Sequence, residues 1–278
     1  MAVEVDNIAE GEALLQIRTS ALERPRLVTV GTQSGRDCGR ATWSTDSLRL
    51  AYLCWDQKSI NLHSIAVDDA ASAQFLLEEP RPIDLLFAGF SAGDSHVFLH
   101  RVDAEGSNEL VSVPLEPSAG PERRAQVVPM EESDWSSARL SPDGRWLAYI
   151  SREAGRQEMF VRPVLSGTRV GPRVLAMPGL VEGVWWSKVN GGGNYELFVW
   201  RRERLHSIGV TTEPSLRFSD PRELEIDWFA QGLQNVDSLP DGRFLIIQAP
   251  DSEHGAAELR LIFNWTQELT RLLPVSPR

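Results

Sequence analysis

Apolar runs along the chain are separated by short polar turns, and the clearest such unit begins at Ala138. Its Ser-Pro-Asp-Gly turn at 141–144 has apolar runs on both sides. Proline at the second place of a turn presets φ, and glycine at the fourth place permits a positive φ. The pattern predicts a hairpin of two strands, followed by a third strand at 158–165 and a fourth around 173–177.

The same pattern recurs four more times, with an equivalent residue at the start of each turn. These residues are Ser44, Ser91, Ser141, Ser187 and Leu239, which lie 47, 50, 46 and 52 positions apart. After the turn at Ser44, strands are predicted at 48–54, 60–67 and 74–77, and after the turn at Ser91, at 97–99, 110–115 and 126–128. After the turn at Ser187, they are predicted at 196–200, 206–210 and 216–218, and after the turn at Leu239, at 244–247, 258–263 and 269–273. A period of about 45–50 residues with four short strands is typical of β-propeller blades.

A single four-stranded sheet cannot bury both of its faces, whereas sheets packed side by side around an axis cover one another. We therefore predict an all-β, six-bladed β-propeller with four-stranded antiparallel blades, in one domain over residues 1–278. The blades, numbered 1 to 6, are expected at about 1–31, 39–80, 84–130, 135–179, 182–223 and 232–274. Blade 1 holds only two clear runs, at 13–18 and 26–30, so a short first blade, an open ring and a missing N-terminal piece all fit.

Two segments resemble the repeat of the TolB-like, WD-repeat-like propeller family: LSPDGRWLAY at 140–149 and LPDGRFL at 239–245. The segment IFNWTQELTRLLP at 262–274 resembles the C-terminal end of propellers fused to bacterial serine/threonine kinases and winged-helix regulators. The resemblance covers about residues 39–274. It implies a six-bladed fold with a sensing or protein-interaction role, and it implies no catalytic residues.

The net charge of the chain excludes some classes of binding partner. The chain has 39 acidic and 28 basic residues, which gives a net charge of -11. Nucleic acids and anionic lipid surfaces are bound by clustered Lys and Arg, so we expect neither of them as a partner. No run reaches the ~18–20 apolar residues that a membrane helix needs, and no basic segment followed by an apolar one begins the chain. We therefore expect a cytoplasmic protein, with peripheral association with a membrane complex as an open alternative.

The two cysteines and the neighbouring histidines indicate no metal site. Two cysteines are too few for a disulfide framework or a structural zinc site. Cys54 lies in the apolar run 50–55 and is expected to be a small buried hydrophobic residue. His96 and His100 are four apart, which on a strand separates them by ~13 Å, too far to share one ion. We predict no metal and no cofactor.

One motif matches that of a catalytic nucleophile. The sequence Gly-Phe-Ser-Ala-Gly at 89–93 fits the nucleophile elbow, which requires a strand, a tight turn and then a helix. The residues after it, 95–102, have the pattern of a strand, and the motif falls on the turn of the repeat. We interpret it as a blade hairpin and predict no catalytic residue. The glycine-rich segment 190–194 lacks the Lys-Ser/Thr of a phosphate loop and is expected to be a flexible hairpin.

Partner contacts are expected where the chain enters the first strand of each blade, because these loops converge on one face of a propeller. Asp37, Asp84 and Asp134 each lie seven positions before the equivalent residue of their unit, and Glu182 lies five before its own. An acidic cluster there would attract a basic partner segment or a cation. The alternative is that aspartate simply favours turns. Trp135, beside Asp134, is a candidate surface anchor for a partner.

The function that these patterns favour is a non-catalytic protein-interaction scaffold, or a subunit of a larger bacterial complex that associates with a membrane. Two alternatives remain open. One is an accessory propeller that gates the catalytic domain of a hydrolase, although the chain has no room for that domain. The other is a propeller enzyme with a pair of channel carboxylates, whose separation the sequence does not give.

Overall fold

The computed structural model describes residues 36–116, 125–153, 155–187, 194–202 and 204–224, together with the backbone of five strands outside these ranges. The chain divides into two compact units, Met1–Ala176 and Met177–Arg278, which are described in turn. In the described part of the chain, the helical structure is one short 3-10 turn, Ala92–Asp94. No helix there is long and apolar enough to cross a membrane.

The first unit contains one hairpin and three larger antiparallel sheets. The hairpin pairs β1 (Leu15–Arg18) with β2 (Leu27–Val30). The first sheet has β3 (Asp37–Trp43), β4 (Arg49–Trp55), β5 (Ser59–Ala66) and β6 (Asp69–Pro80). The second sheet has β7 (Asp84–Phe90), β8 (His96–Val102), β9 (Asn108–Pro114) and β10 (Gln126–Val127). The third sheet has β11 (Trp135–Leu140), β12 (Trp146–Ser151), β13 (Glu158–Ser166), β14 (Arg169–Val170) and β15 (Val174–Met177). The outer position of the third sheet is shared by β14 and β15, which both pair with β13. These sheets are blades 2, 3 and 4.

The second unit continues the same pattern. Blade 5 has β16 (Gly183–Trp186), β17 (Asn194–Arg201) and β18 (Arg204–Thr211), with β19 (Arg217–Phe218) and β20 (Arg222–Glu223) both paired to β18. Blade 6 has β21 (Val236–Ser238), β22 (Phe244–Gln248) and β23 (Glu258–Leu261). The predicted fourth strand at 269–273, the hairpin at 190–193 and the closure of the ring lie outside the described residues.

The predicted all-β fold of successive antiparallel sheets is confirmed. The four serines at equivalent positions make the same backbone hydrogen bond in blades 2 to 5. Ser44, Ser91, Ser141 and Ser187 are all buried. The backbone N–H of each donates to a carbonyl at or near the start of the second strand, on Arg49, His96, Trp146 and Glu196 respectively, at 2.8–3.0 Å. In the first three, the serine hydroxyl also accepts the backbone N–H of that same residue. The period in the sequence therefore reflects one repeated hairpin closure.

The first strands of the three blades in the first unit lie beside one another, in the order β3, β7, β11. Each of them carries an irregularity: between Gly39 and Ala41, between Phe87 and Gly89, and between Ser136 and Arg139. The turns that follow these strands also contact one another. Both carboxylate oxygens of Asp94, in the β7–β8 turn, accept hydrogen bonds from Thr45 in the β3–β4 turn, at 2.7 and 2.9 Å.

Apolar clusters fill the spaces between neighbouring blades. One joins blades 2 and 3 and includes Leu53, Leu62, Leu99 and Val111. Another joins blades 3 and 4 and includes Phe98, Leu110, Leu140 and Tyr149. Mutual burial of sheet faces is the reason predicted for the repeat, and in the first unit the contacts between blades have this form.

A buried carboxylate ties the start of blade 4 to its outer edge. Glu132, in the loop before β11, accepts hydrogen bonds from the Tyr149 hydroxyl at 2.5 Å and from Arg173 at 2.7 Å. It also pairs with Arg162, whose side chain is only 2% exposed, at 3.5 Å. Because every charged group here has an opposite charge or a hydrogen-bond partner, the cluster can be buried without an uncompensated charge.

The outer strand of blade 2, β6, is twelve residues long, and its ladder to β5 is interrupted twice. One interruption lies opposite Leu62 and His63, and the other lies opposite Ser64 and Ala66. Each interruption leaves residues of β6 without a partner in register. The strand is therefore bent along its length rather than straight.

The cysteines depart from the sequence prediction. Cys54 is buried, as predicted, but it forms a disulfide with Cys38. The two residues are directly opposite each other in the β3–β4 pair. A signal for this was present in the sequence, because each cysteine lies eight positions from Asp46 at the centre of the predicted turn.

Candidate partner-binding surface

Three of the predicted contact residues occupy corresponding places in the first unit. Asp37 and Asp84 are the first residues of β3 and β7, and Asp134 immediately precedes β11. Since β3, β7 and β11 lie side by side, the three carboxylates stand at the same end of neighbouring strands. This placement agrees with the prediction, but the charge of the group differs from the one expected.

Asp84 is neutralised by a neighbouring blade. The guanidinium of Arg40, on β3, donates to both carboxylate oxygens of Asp84 at 2.9 and 3.0 Å and to the carbonyl of Leu85 at 3.1 Å. Arg81 lies 3.9 Å from the same carboxylate. Asp134 likewise lies 3.9 Å from Arg152. Two of the three carboxylates of the predicted acidic cluster therefore lie close to an arginine, and the role of the cluster in partner binding stays a prediction.

Asp37 differs from the other two. It is exposed, and among the described residues its carboxylate forms no ion pair or side-chain hydrogen bond. It lies opposite Trp55 in the β3–β4 pair. The guanidinium of Arg40 lies 5.7 Å from the centre of the Trp55 ring, within the range of a cation–π contact. Asp37 and Trp55 are therefore neighbours across two strands, and Arg40 contacts both Trp55 and Asp84.

Leu86 adds an exposed apolar side chain to this group. It lies two residues after Asp84 on β7, so both side chains point to the same side of the strand. It is 36% exposed, although the residues on both sides of it are more buried. We call the five residues Asp37, Arg40, Trp55, Asp84 and Leu86 the first-strand surface.

Trp135 is not a surface anchor. It is the first residue of β11, is 1% exposed and packs in the cluster between blades 3 and 4. Its ring meets His100 edge to face at 5.0 Å. The prediction of an exposed tryptophan is therefore wrong, because the polar neighbours of Trp135 in sequence do not reveal the blade that covers it.

Glu182 belongs to the second unit. It is exposed, and its backbone N–H donates to the carbonyl of Trp200 at 2.9 Å. It stands just before β16, at the place that corresponds to Asp134 in blade 4. Its role in partner binding stays a prediction.

His100 is buried at the contact between blades 3 and 4. Its Nε2 lies 3.0 Å from the carbonyl of Ala138. Burial, with the nearby charge of Arg139, lowers the pKa of His100 to about 3. The imidazole is therefore neutral at physiological pH, and its Nε2–H donates to Ala138.

The motif at 89–93 forms the predicted blade hairpin. Ser91 follows β7, and the chain continues through the 3-10 turn into β8 rather than into a longer helix. The Ser91 side chain is buried and accepts the backbone N–H of His96 at 3.0 Å. Within the described ranges, no group of three or more His, Cys, Asp or Glu side chains is placed to hold a metal ion.

Sequence reasoning missed Arg40, Trp55 and Leu86. Their roles depend on how β3, β4 and β7 lie relative to one another, which a repeat period alone does not give. A partial signal existed for Leu86, because it lies two positions after Asp84 and shares its side of the strand.

Comparison with known proteins adds to the fold assignment. No protein-family model and no curated protein sequence matches the chain. A protein of unknown function from Desulfotomaculum acetoxidans has a similar structure, with a TM-score of 0.56 at 14% identity, over 89% of this chain and 75% of that one. A prolyl endopeptidase gives a TM-score of 0.50 at 16% identity, over 87% of this chain. TolB from Acinetobacter baumannii gives 0.42 at 14% identity, over 80% of this chain.

The chain spans 37% of the length of the prolyl endopeptidase and 63% of that of the Acinetobacter TolB. At these identities the likeness shows the fold alone. The assignment rests on the two structures with TM-scores of 0.50 and above and on the order of strands in the sheets. The number of blades and their boundaries stay predictions. The predicted fold class is confirmed: the chain is an all-β protein with a β-propeller fold.

Proposed function

We propose that the chain is a non-catalytic protein-interaction scaffold that binds a protein partner through the first-strand surface. Leu86 carries the proposal, since it is an exposed aliphatic side chain two positions along β7 from Asp84, which pairs with Arg40. Interfaces concentrate their binding energy in a few residues, most often Trp, Tyr and Arg, which lie in a fully buried centre with a polar rim around it. The first-strand surface combines these residue types.

The arginine of this surface already has partners within the chain before any protein binds. Arg40 donates three hydrogen bonds to the start of β7 and lies over Trp55. A side chain that is already ordered loses little conformational entropy on binding, which favours affinity. Asp37, at the edge of the surface, supplies a negative charge for a basic group of the partner.

These features define the partner chemically. It presents an apolar side chain to Leu86 and a basic side chain to Asp37, and it is a protein rather than a nucleic acid, given the net charge of -11. Such a scaffold fits a subunit of a larger bacterial complex that associates peripherally with a membrane protein.

The test compares two leucine-to-aspartate variants. Leu86→Asp places a charge in the proposed surface, whereas Leu48→Asp places the same charge on a turn residue that is 67% exposed and lies outside it. Wild type and both variants are used as baits in the native lysate, and the affinity of each captured protein is then measured with purified components. We expect a protein that binds wild type and Leu48→Asp equally and binds Leu86→Asp at least ~10-fold more weakly. Equal binding by all three baits would refute the proposal.

A second candidate function is an accessory propeller of a peptidase-type hydrolase. The likeness to a prolyl endopeptidase, with a TM-score of 0.50, supports it at the level of fold. In that case a separate hydrolase would be captured by the wild-type bait, and the mixture would cleave peptides that neither component cleaves alone. Absence of this gain in peptidase activity would leave the scaffold as the better explanation.

A further inference from the structure

The disulfide joins β3 and β4 at the end of blade 2 that carries the first-strand surface, on the face of the sheet opposite Trp55. Cys38 follows Asp37 and is two residues before Arg40, and Cys54 precedes Trp55. The covalent bond therefore joins the two strands that carry three of the five residues of the surface, at the level of those residues.

The start of β3 has few other constraints within its sheet. Within its sheet, β3 is at the edge opposite β6 and pairs with β4 alone, although it also lies beside β7 of blade 3. Its ladder is irregular between Gly39 and Ala41, where Arg40 has a φ of 44°. Beside it, Arg36 is bound to blade 2 by an ion pair with Asp56 at 3.1 Å. An edge strand with an interrupted ladder opens more readily than a central one, so a covalent link at this place is expected to increase local order.

The burial of the disulfide indicates a permanent link rather than an exchanging one. Cys38 and Cys54 are 4% and 1% exposed and pack with Leu50, Tyr52 and Ile65. Thiol–disulfide exchange requires a thiolate to reach one of the sulfur atoms, and the folded blade covers both of them.

We propose that this disulfide is a covalent latch that fixes the first-strand surface, and that the partner-binding form of the protein is the oxidised form made in an oxidising compartment. The part that concerns partner binding rests on the function proposed above. Formation of the latch removes two electrons and two protons from the thiols of Cys38 and Cys54. The two electrons and the two protons are transferred to the disulfide of a dithiol–disulfide oxidase, which is reduced to its dithiol.

An oxidising compartment differs from the cytoplasm expected from the sequence. Disulfides persist in secreted, periplasmic and cell-surface proteins, and they are rare in the cytosol, where reducing systems keep thiols free. A buried disulfide is the arrangement expected of a protein that folds outside the cytosol.

The first experiment measures the oxidation state in native cells. Cells are quenched in acid, free thiols are alkylated, and the tryptic peptides that contain Cys38 and Cys54 are identified by mass spectrometry without reduction. We expect the two peptides to be linked in nearly all molecules. Recovery of both cysteines in the alkylated form would overturn the proposal, whatever the partner is.

The second experiment measures the latch directly and needs no partner. The Cys38→Ala/Cys54→Ala variant cannot form the disulfide, and alanine at both positions buries no hydroxyl group. We expect amide hydrogen exchange over 37–40 to be at least ~10-fold faster than in wild type, and exchange over β8 to be unchanged. Exchange at the wild-type rate over 37–40 would refute the latch. The alkylation experiment decides the oxidation state even where this variant does not fold.

The two proposals fail separately. Faster exchange in the cysteine variant, combined with equal partner binding by Leu86→Asp and wild type, would keep the latch and refute the binding surface. Weaker partner binding by Leu86→Asp, combined with unchanged exchange in the cysteine variant, would keep the binding surface and refute the latch.

Discussion

Gly144, in the β11–β12 turn, lies so close to Ser91, in the β7–β8 turn, that a β-carbon on Gly144 would stand 2.3 Å from the Ser91 carbonyl carbon. The backbone N–H of Ala92 donates to the carbonyl of Gly144 at 3.3 Å. The glycine of the Pro-Asp-Gly turn therefore serves two needs at once. It adopts a φ of 71°, and it lets the turn of blade 4 contact the backbone of blade 3.

A pair of glycine-to-alanine variants separates these two needs. Gly93 has the same φ as Gly144, 71°, but has open space where a β-carbon would be. We expect Gly93→Ala to lower the free energy of unfolding by about 1 kcal/mol, which is the cost of a left-handed backbone for alanine. Gly144→Ala should cost clearly more, because backbone atoms of blade 3 must also move. Denaturant unfolding of both variants measures the difference, and equal losses would contradict the reported contact.

We expect neutralisation of the buried Glu132 carboxylate to lower the free energy of unfolding strongly. In Glu132→Gln the guanidinium of Arg162, which is 2% exposed, loses its negative partner. Removing one member of a buried ion pair typically costs about 3–5 kcal/mol, because the other charge stays buried. Chemical denaturation at neutral pH measures this loss.

The matched control for this prediction is the preceding residue. Glu131 is exposed, so Glu131→Gln should change the free energy of unfolding by less than about 0.5 kcal/mol. Similar losses in the two variants would mean that Glu132 does not carry the buried cluster.

His100 predicts a dependence of stability on pH. Its pKa is about 3 in the folded protein, lowered by burial, against an ordinary value of about 6.5 when unfolded. Between these values the unfolded chain binds the proton and the folded chain does not, so stability rises with pH across this window and is lost as pH falls. From pH 6.5 to pH 5 the loss from this one group is about 2 kcal/mol.

The variant His100→Gln tests this dependence. Glutamine keeps a side-chain N–H for the carbonyl of Ala138 but cannot be protonated. We expect the unfolding free energy of the variant to fall by about 2 kcal/mol less than that of wild type between pH 6.5 and pH 5. Parallel pH profiles for the two proteins would show that His100 is not buried in its neutral form.

The ion pair between Arg40 and Asp84 should contribute little to folding, although it lies within the proposed binding surface. The two side chains are 44% and 34% exposed, and exposed pairs of this kind are typically worth about 0.2–1 kcal/mol. A double-mutant cycle with Arg40→Ala and Asp84→Ala measures the coupling energy in unfolding. A value well above this range would assign the pair a structural role and weaken the case for it as a contact surface.

The repeated hairpins were predictable because their cause is local. Ser141 closes its turn with partners only a few residues away, and Ser44 and Ser91 do the same. Turn geometry of this kind depends on short-range backbone chemistry, so it leaves a recurring pattern in the sequence.

The burial of Trp135 was not predictable because its cause is distant. The tryptophan is covered by His100 and by the apolar cluster between two blades. Its sequence neighbours, Asp134 and Ser136, are polar. Likewise, the bridge from Arg40 to Asp84 spans 44 positions and exists only where two blades meet. Contacts between blades depend on tertiary packing, which a period in one sequence does not specify.

The two interruptions in β6 have a consequence for how molecules of this protein meet one another. A straight outer strand twelve residues long would offer a row of unsatisfied N–H and C=O groups to an identical strand on another molecule, which is the usual route to fibrous aggregates. The bends opposite Leu62–His63 and Ser64–Ala66 break this row into short pieces. Blade 2 can therefore have a long outer strand and still resist self-association along that edge.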